Sequence, residues 1–315
     1  MNYLGLTVGA IALAAMPVMA QETRPVTDHA GYTVDIPADP QRIVSLHDWT
    51  ATVMTYELDG NLIGSSGRLD DAGNYFVRSG RELYDLGFDE IELASVHGEL
   101  DMERIASLQP DLIIGNVGDT IEFREQLAAI APTVMFDPMN GRTPLENYRD
   151  LADWVDRTER FEELNTEYEA RVAEVRTELF GDGPVPSYAA IMPNTESGEV
   201  RVFRNYGAQS TVLEDLGFSH AAIMDQVPET EQDASFSAEV IAQIDSDYVF
   251  LTHISDQGQT LETMMADFDQ IAPGYRELLP AARNNRFISM SRFHVYPTTF
   301  AAMNYVLDDL LKTLK

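Results

Sequence analysis

Arginine and aromatic residues recur just after the apolar, strand-like runs of this chain, in both of its halves. A guanidinium stays charged and grips a carboxylate through two parallel hydrogen bonds, while an aromatic ring packs on flat organic groups. His47, Trp49, Arg68, Tyr75 and Arg78 form this set in the first half. Arg201, Arg204, Tyr206, His253, Arg292 and Tyr296 form it in the second. Any one of these arginines reads equally well as a surface partner for one of the 52 acidic residues. Taken as a set, they read as an anion site. Arg68, Arg204 and Arg292 lead it.

Other chemistries find less support. Ser45, His47 and Asp48 are hydrolase residue types, but they lie along one strand and its end, where alternate side chains point to opposite faces. No Gly-x-Ser-x-Gly elbow occurs. The six histidines are scattered without a His-Glu-x-x-His pattern, which argues against a bare zinc or manganese centre. His253, His294 and Tyr296 stay open as direct metal contacts.

A repeated pattern must position these residues. Glu103 to Ile114 matches Glu239 to Phe250: a short helix, an Asp (Asp111, Asp247), then a buried strand. Two similar units predict two lobes and a cleft between them. Strand-like runs at 42–46, from 61, at 111–114 and at 133–136 alternate with helical stretches at 50–58 and 121–130. Asp28 to Gly31 reads as a hairpin turn. Pro144 to Phe180 reads as helical, with apolar residues at Phe161, Leu164, Tyr168, Val172, Val175 and Leu179, and Gly181 stops it. The second half repeats the alternation: strands at 188–192, 247–252 and 287–290, helices at 209–216, 239–244 and 297–314. The expected fold class is α/β: two lobes, each a mainly parallel sheet flanked by helices, joined by one long rigid helix. The expected boundaries are a signal peptide at 1–20, an N-terminal lobe at 21–156, a connecting helix at 157–180 and a C-terminal lobe at 181–315.

The net charge of −31 makes nucleic acid and anionic membrane poor partners. Residues 1–20 carry no charged side chain, and their apolar run ends in Val18-Met19-Ala20, the pattern of a cleaved secretory leader. The chain has no cysteine, so it offers neither a disulfide nor a thiol for lipid attachment. A free periplasmic protein is expected.

The order Thr27-Asp-x-x-Gly31, Ile36-Pro-x-x-Pro40-x-Arg-Ile-Val-Ser45, Glu103-x-Ile-x-x-Leu-x-Pro-Asp111, a long helix, Leu216-Gly217 and Ser237-x-Glu239 resembles one family. It is similar to the periplasmic substrate-binding proteins of ABC importers for ferric siderophores, haem and cobalamin, over roughly residues 24–315. The resemblance implies a ligand held between two α/β lobes with small lobe closure, and no catalysis. It implies no intrinsic cofactor, ferric iron arriving as a siderophore complex. It implies a permease dimer in the inner membrane as partner, with Glu103 and Glu239 docking onto it. A monomer is expected. With the arginines, an anionic carboxylate or citrate-type chelate is the expected ligand. Haem or cobalamin is the alternative within the family, and an exported metalloenzyme on a similar frame the alternative outside it.

Overall fold

A computed structural model describes residues 22–315; the expected signal peptide lies outside them. The chain opens with a hairpin, β1 (Thr23–Thr27) and β2 (Thr33–Pro37), paired antiparallel. Its turn is tied by Asp28, whose Oδ1 accepts from the amides of Ala30 and Tyr32.

The first sheet holds β3 (Ile43–Ser45), β4 (Leu62–Leu69), β5 (Tyr75–Phe76), β6 (Glu92–Val96), β7 (Leu112–Asn116) and β8 (Thr133–Phe136). Its order is β5-β4-β3-β7-β8, with β6 also on β4. All its pairings are parallel except the short β4–β5 one. The second sheet holds β9 (Ser187–Asn194), β10 (Glu199–Phe203), β11 (Ser219–His220), β12 (Asp233–Ser237), β13 (Tyr248–His253) and β14 (Phe287–Ser291). Its order is β12-β10-β9-β13-β14, with β11 on β9. Here β9, β13, β14 and β11 are parallel, while β10 and β12 form an antiparallel edge. The α/β class and the mainly parallel sheets are as expected.

The internal repeat has a physical role. Asp111 accepts from the amides of Gln41 and Arg42, just before β3. Asp247 accepts from the amide of Ser187, the first residue of β9. Each carboxylate thus fixes the entry of its sheet's central strand. The helices before them differ: Met102–Ser107 is α-helical with Asp101 as cap, accepting from Arg104, whereas Ala238–Gln243 is a 3-10 helix whose Ser237 makes no side-chain cap bond.

The helical region 144–180 is two helices, Pro144–Trp154 and Thr158–Phe180. Asp156, with φ +56, turns the chain between them. Asp visits this left-handed region more readily than most residues. The final helix begins at Phe300, not at Pro297, because Thr299 caps it by accepting from the amide of Ala302.

A ladder of rings joins the two halves. Phe300 packs against Tyr148, Phe161 and Tyr168 at centroid distances of 5.5, 5.4 and 6.0 Å. Such burial contributes about 2–3 kcal/mol per ring. Beside it lies a buried carboxylate. Glu57 Oε1 accepts from the Ala301 amide at 2.7 Å and the Tyr84 hydroxyl at 2.9 Å. Glu57 Oε2 accepts from the Phe300 amide and the Tyr148 hydroxyl, both at 2.8 Å. A first-half residue therefore satisfies the orphan amides of a second-half helix. The two halves of the chain are pinned together there.

Candidate functional site

The strand β3 ends at Ser45, and the chain that follows delivers His47, Asp48 and Trp49. Asp48 is fully buried and takes Arg78 bidentately, Nε at 2.8 Å and Nη2 at 2.7 Å. This pairing holds the Asp48 carboxyl below its ordinary range, against the opposing effect of burial. Arg78 is thereby committed to Asp48, and its guanidinium lies 4.1 Å from the centre of the Trp49 ring. Trp49 donates its indole N–H to Ser79 Oγ at 3.0 Å and stacks on Tyr296 at 3.8 Å. Trp49 is only 7% exposed because a ring of the second half covers it.

Arg292 follows β14 directly. Its guanidinium lies 4.7 Å from the Trp49 ring and 5.9 Å from that of Tyr296. Phe293 closes the cluster, 6.2 Å from both Trp49 and Phe76. Alternation along β5 turns Phe76 inward and leaves its neighbour Tyr75 46% exposed. Arg68, near the end of β4, stands opposite Phe76 in the β4–β5 pairing and feels the charges of Arg78 and Arg292. Burial first, and then those two cations, lowers its proton affinity. Arg68 and Arg292 make no ion pair among the described residues, and the Nε of each is buried without a hydrogen-bond partner. Two unpaired guanidiniums from opposite halves thus meet at one aromatic cluster.

Two histidines flank it. His47 Nδ1 shares a 2.6 Å hydrogen bond with Thr50 Oγ1, and its Nε2 lies 3.7 Å from Asp119 Oδ2. His97 Nδ1 lies 3.8 Å from the same oxygen and 3.9 Å from Asp48 Oδ1. Burial pulls the His47 imidazole down to about 4, and burial together with Arg68 lowers that of His97.

The other expected residues lie apart from this core or are already engaged. Arg201 donates to Asp233 at 2.6 Å and lies 4.9 Å from the Phe203 ring. Tyr206 is buried, its hydroxyl bonded to that of Thr252, and its ring meets Tyr296 edge-on at 5.7 Å. Arg204 donates to Glu229 and the Val227 carbonyl and lines a separate groove with Arg142 and Pro144. His253 bonds Ser289, and His294 stacks on Tyr305 at 4.4 Å. Tyr296 is stacked on Trp49, while His253 feels the charge of His294. Among the described residues, no group of His, Asp and Glu is arranged to hold a metal ion. Glu103 and Glu239 are both exposed, each in the first turn of its helix.

Gly207 sits behind the aromatic pair, with φ +53 and its Cα against the carbonyl of Tyr296. A side chain there would overlap that backbone. Sequence reasoning missed His97 and Asp119, which nothing local marked.

With this geometry in place, the likeness to known proteins becomes specific. Residues 75–292 match the periplasmic binding protein family, and the chain belongs to that family. A probable siderophore-binding lipoprotein, YfiY of Bacillus subtilis, is 27% identical over 78% of this chain and 74% of its own length. The iron(3+)-hydroxamate-binding protein YxeB of the same organism is 28% identical over 88% of this chain and 82% of its own. In fold, the chain resembles Staphylococcus aureus SirA complexed with staphyloferrin B, with a TM-score of 0.74 and 19% identity. That match covers 93% of this chain and 98% of SirA. The fold and the family are those of binding proteins.

Proposed function

We propose that this protein captures a ferric siderophore between its lobes in the periplasm and delivers it to an ABC permease. The observation that carries this reading is the pair Arg68 and Arg292, left without carboxylate partners in a chain of net charge −31. Two guanidiniums without carboxylate partners among the described residues, at a shared aromatic cluster, favour an anion from outside. The named relatives, one siderophore-binding and one hydroxamate-binding, support the ligand class. The guanidinium pair favours a carboxylate or citrate-type chelate within it. Arg68 and Arg292 take the charge; Trp49, Phe76, Phe293 and Tyr296 take the organic frame. The domains in this reading are lobes at 21–156 and 181–315 hung on the helix 157–180. The protein acts as a monomer, and Glu103 and Glu239 meet the permease.

Fluorescence titration of Trp49, with Trp49→Phe as control, tests this against ferric citrate, a carboxylate siderophore, ferrioxamine B, a ferric catecholate, haem and cobalamin. Tight binding of the anionic ferric chelates is expected, weakened in Arg68→Ala and Arg292→Ala. Binding of haem or cobalamin alone would overturn the ligand assignment, and binding of none would overturn the function.

A further inference from the structure

A small polar pit lies beside the arginine pair, at the carboxyl ends of β4 and β6. Ser66, Ser95, His97, Asp119 and Thr120 line it, in a cavity of about 20 Å³. That is room for one water or one small polar group. Ser66 and Ser95 stand opposite each other in the β4–β6 register and are 1% and 3% exposed. The hydroxyls of both have no hydrogen-bond partner. Buried hydroxyls are ordinarily bonded, so two unpaired ones lining one cavity point to a guest. The contrast with Ser65 is local: on the other face of β4, it bonds Thr52 Oγ1 at 2.7 Å.

Arg68 lies two residues beyond Ser66, on the same face of the strand. Its charge is felt at His97 and at Asp119, both in the pit wall. Asp119 Oδ2 is turned between the imidazoles of His47 and His97, 3.7 and 3.8 Å away. Two hydroxyl donors beside an unpaired guanidinium match the lone pairs of a carboxylate.

We infer that this pit is a subsite for one carboxylate arm of the ligand, held by Ser66, Ser95 and Arg68. It rests on the proposed chelate site and narrows its ligand to one with a free carboxylate. The pit itself is tested with acetate, matched in ionic strength by chloride, followed by NMR of backbone amides in the wild type and in Ser66→Ala/Ser95→Ala. Acetate should bind saturably, with shifts centred on 66–68 and 95–97, and at least ten-fold more tightly than acetamide. The double variant should lose ten-fold or more in acetate affinity while melting no lower than the wild type, since it sheds two unpaired hydroxyls. It should also lose ten-fold in affinity for a carboxylate chelate and none for ferrioxamine B. Acetate that fails to saturate, leaving an ordered water as the occupant, would overturn the subsite, as would equal acetate affinity in the variant. Acetate binding without any ferric chelate binding would keep the pit and refute the transport function instead.

Discussion

Replacing Glu57 tests how firmly the lobes are pinned. Its carboxylate is shared two and two: Ala301 N–H and Tyr84 O–H on one oxygen, Phe300 N–H and Tyr148 O–H on the other. Glu57→Ala strands the amides of Phe300 and Ala301 and the Tyr84 hydroxyl, while the Tyr148 hydroxyl keeps the Met54 carbonyl, 3.2 Å away. Each unsatisfied donor costs about 1–3 kcal/mol, offset in part because a buried charge has gone as well. The expected net loss is about 3–5 kcal/mol, the range for breaking a buried charged network. Glu57→Gln keeps the shape and one acceptor oxygen but turns an NH2 group toward two donors, so about 2–3 kcal/mol is expected. Urea unfolding reads both through the shift in midpoint at constant slope. Burial also lifts the Glu57 carboxyl above its ordinary range, despite the four bonds that oppose the shift. A raised carboxyl confers stability below its unfolded value that is lost as pH rises through the folded one. The deficit of the Gln variant, which has no proton to release, should therefore narrow between pH 4 and 8. A loss below about 1 kcal/mol in Glu57→Ala would refute the pinning argument, because two orphaned helix amides and a hydroxyl cannot be that cheap.

Three further outcomes follow from the site. Arg68→Ala and Arg292→Ala should each weaken an anionic ferric chelate by about 1.5–3 kcal/mol, measured by titration; an unchanged affinity removes that residue from the site. Changing Glu103 and Glu239 together to Ala should abolish uptake by cells while ligand affinity in the purified protein holds; uptake that persists ends the docking assignment. The His47 imidazole is drawn from 6.5 down to about 4, so its contribution is present above 6.5 and drains away as pH falls toward 4. That interval corresponds to about 3 kcal/mol. His47→Gln should flatten the acid limb of the stability profile, and an unaltered limb would disprove the linkage.

The two-sheet frame was legible because both copies of the repeat place a buried strand after a helix and an Asp, a pattern local in sequence. The tie each Asp makes to the neighbouring central strand, 70 and 60 residues away, was not. The edge strands β10 and β12, and β6, were not legible: Glu92–Val96 is too short to show a period. The break at Asp156 was hidden by apolar spacing that continues across it. In the site, Trp49, Arg68, Arg292 and Tyr296 could be read from composition at strand ends. What separated Arg68 from Arg204 could not, since pairing with Glu229 depends on a loop brought in from 25 residues away. His97 and Asp119 come from different strands' ends, and only the register of β3, β4, β6 and β7 puts them side by side.

Gly207 gives the fold a tuning point outside the ring cluster itself. The Trp49–Tyr296 sandwich rests on main chain pressed against main chain, with no side chain as spacer. Adding even one methyl there would shove the tyrosine, and with it its stack on Trp49, while every ring and guanidinium of the cluster kept its identity.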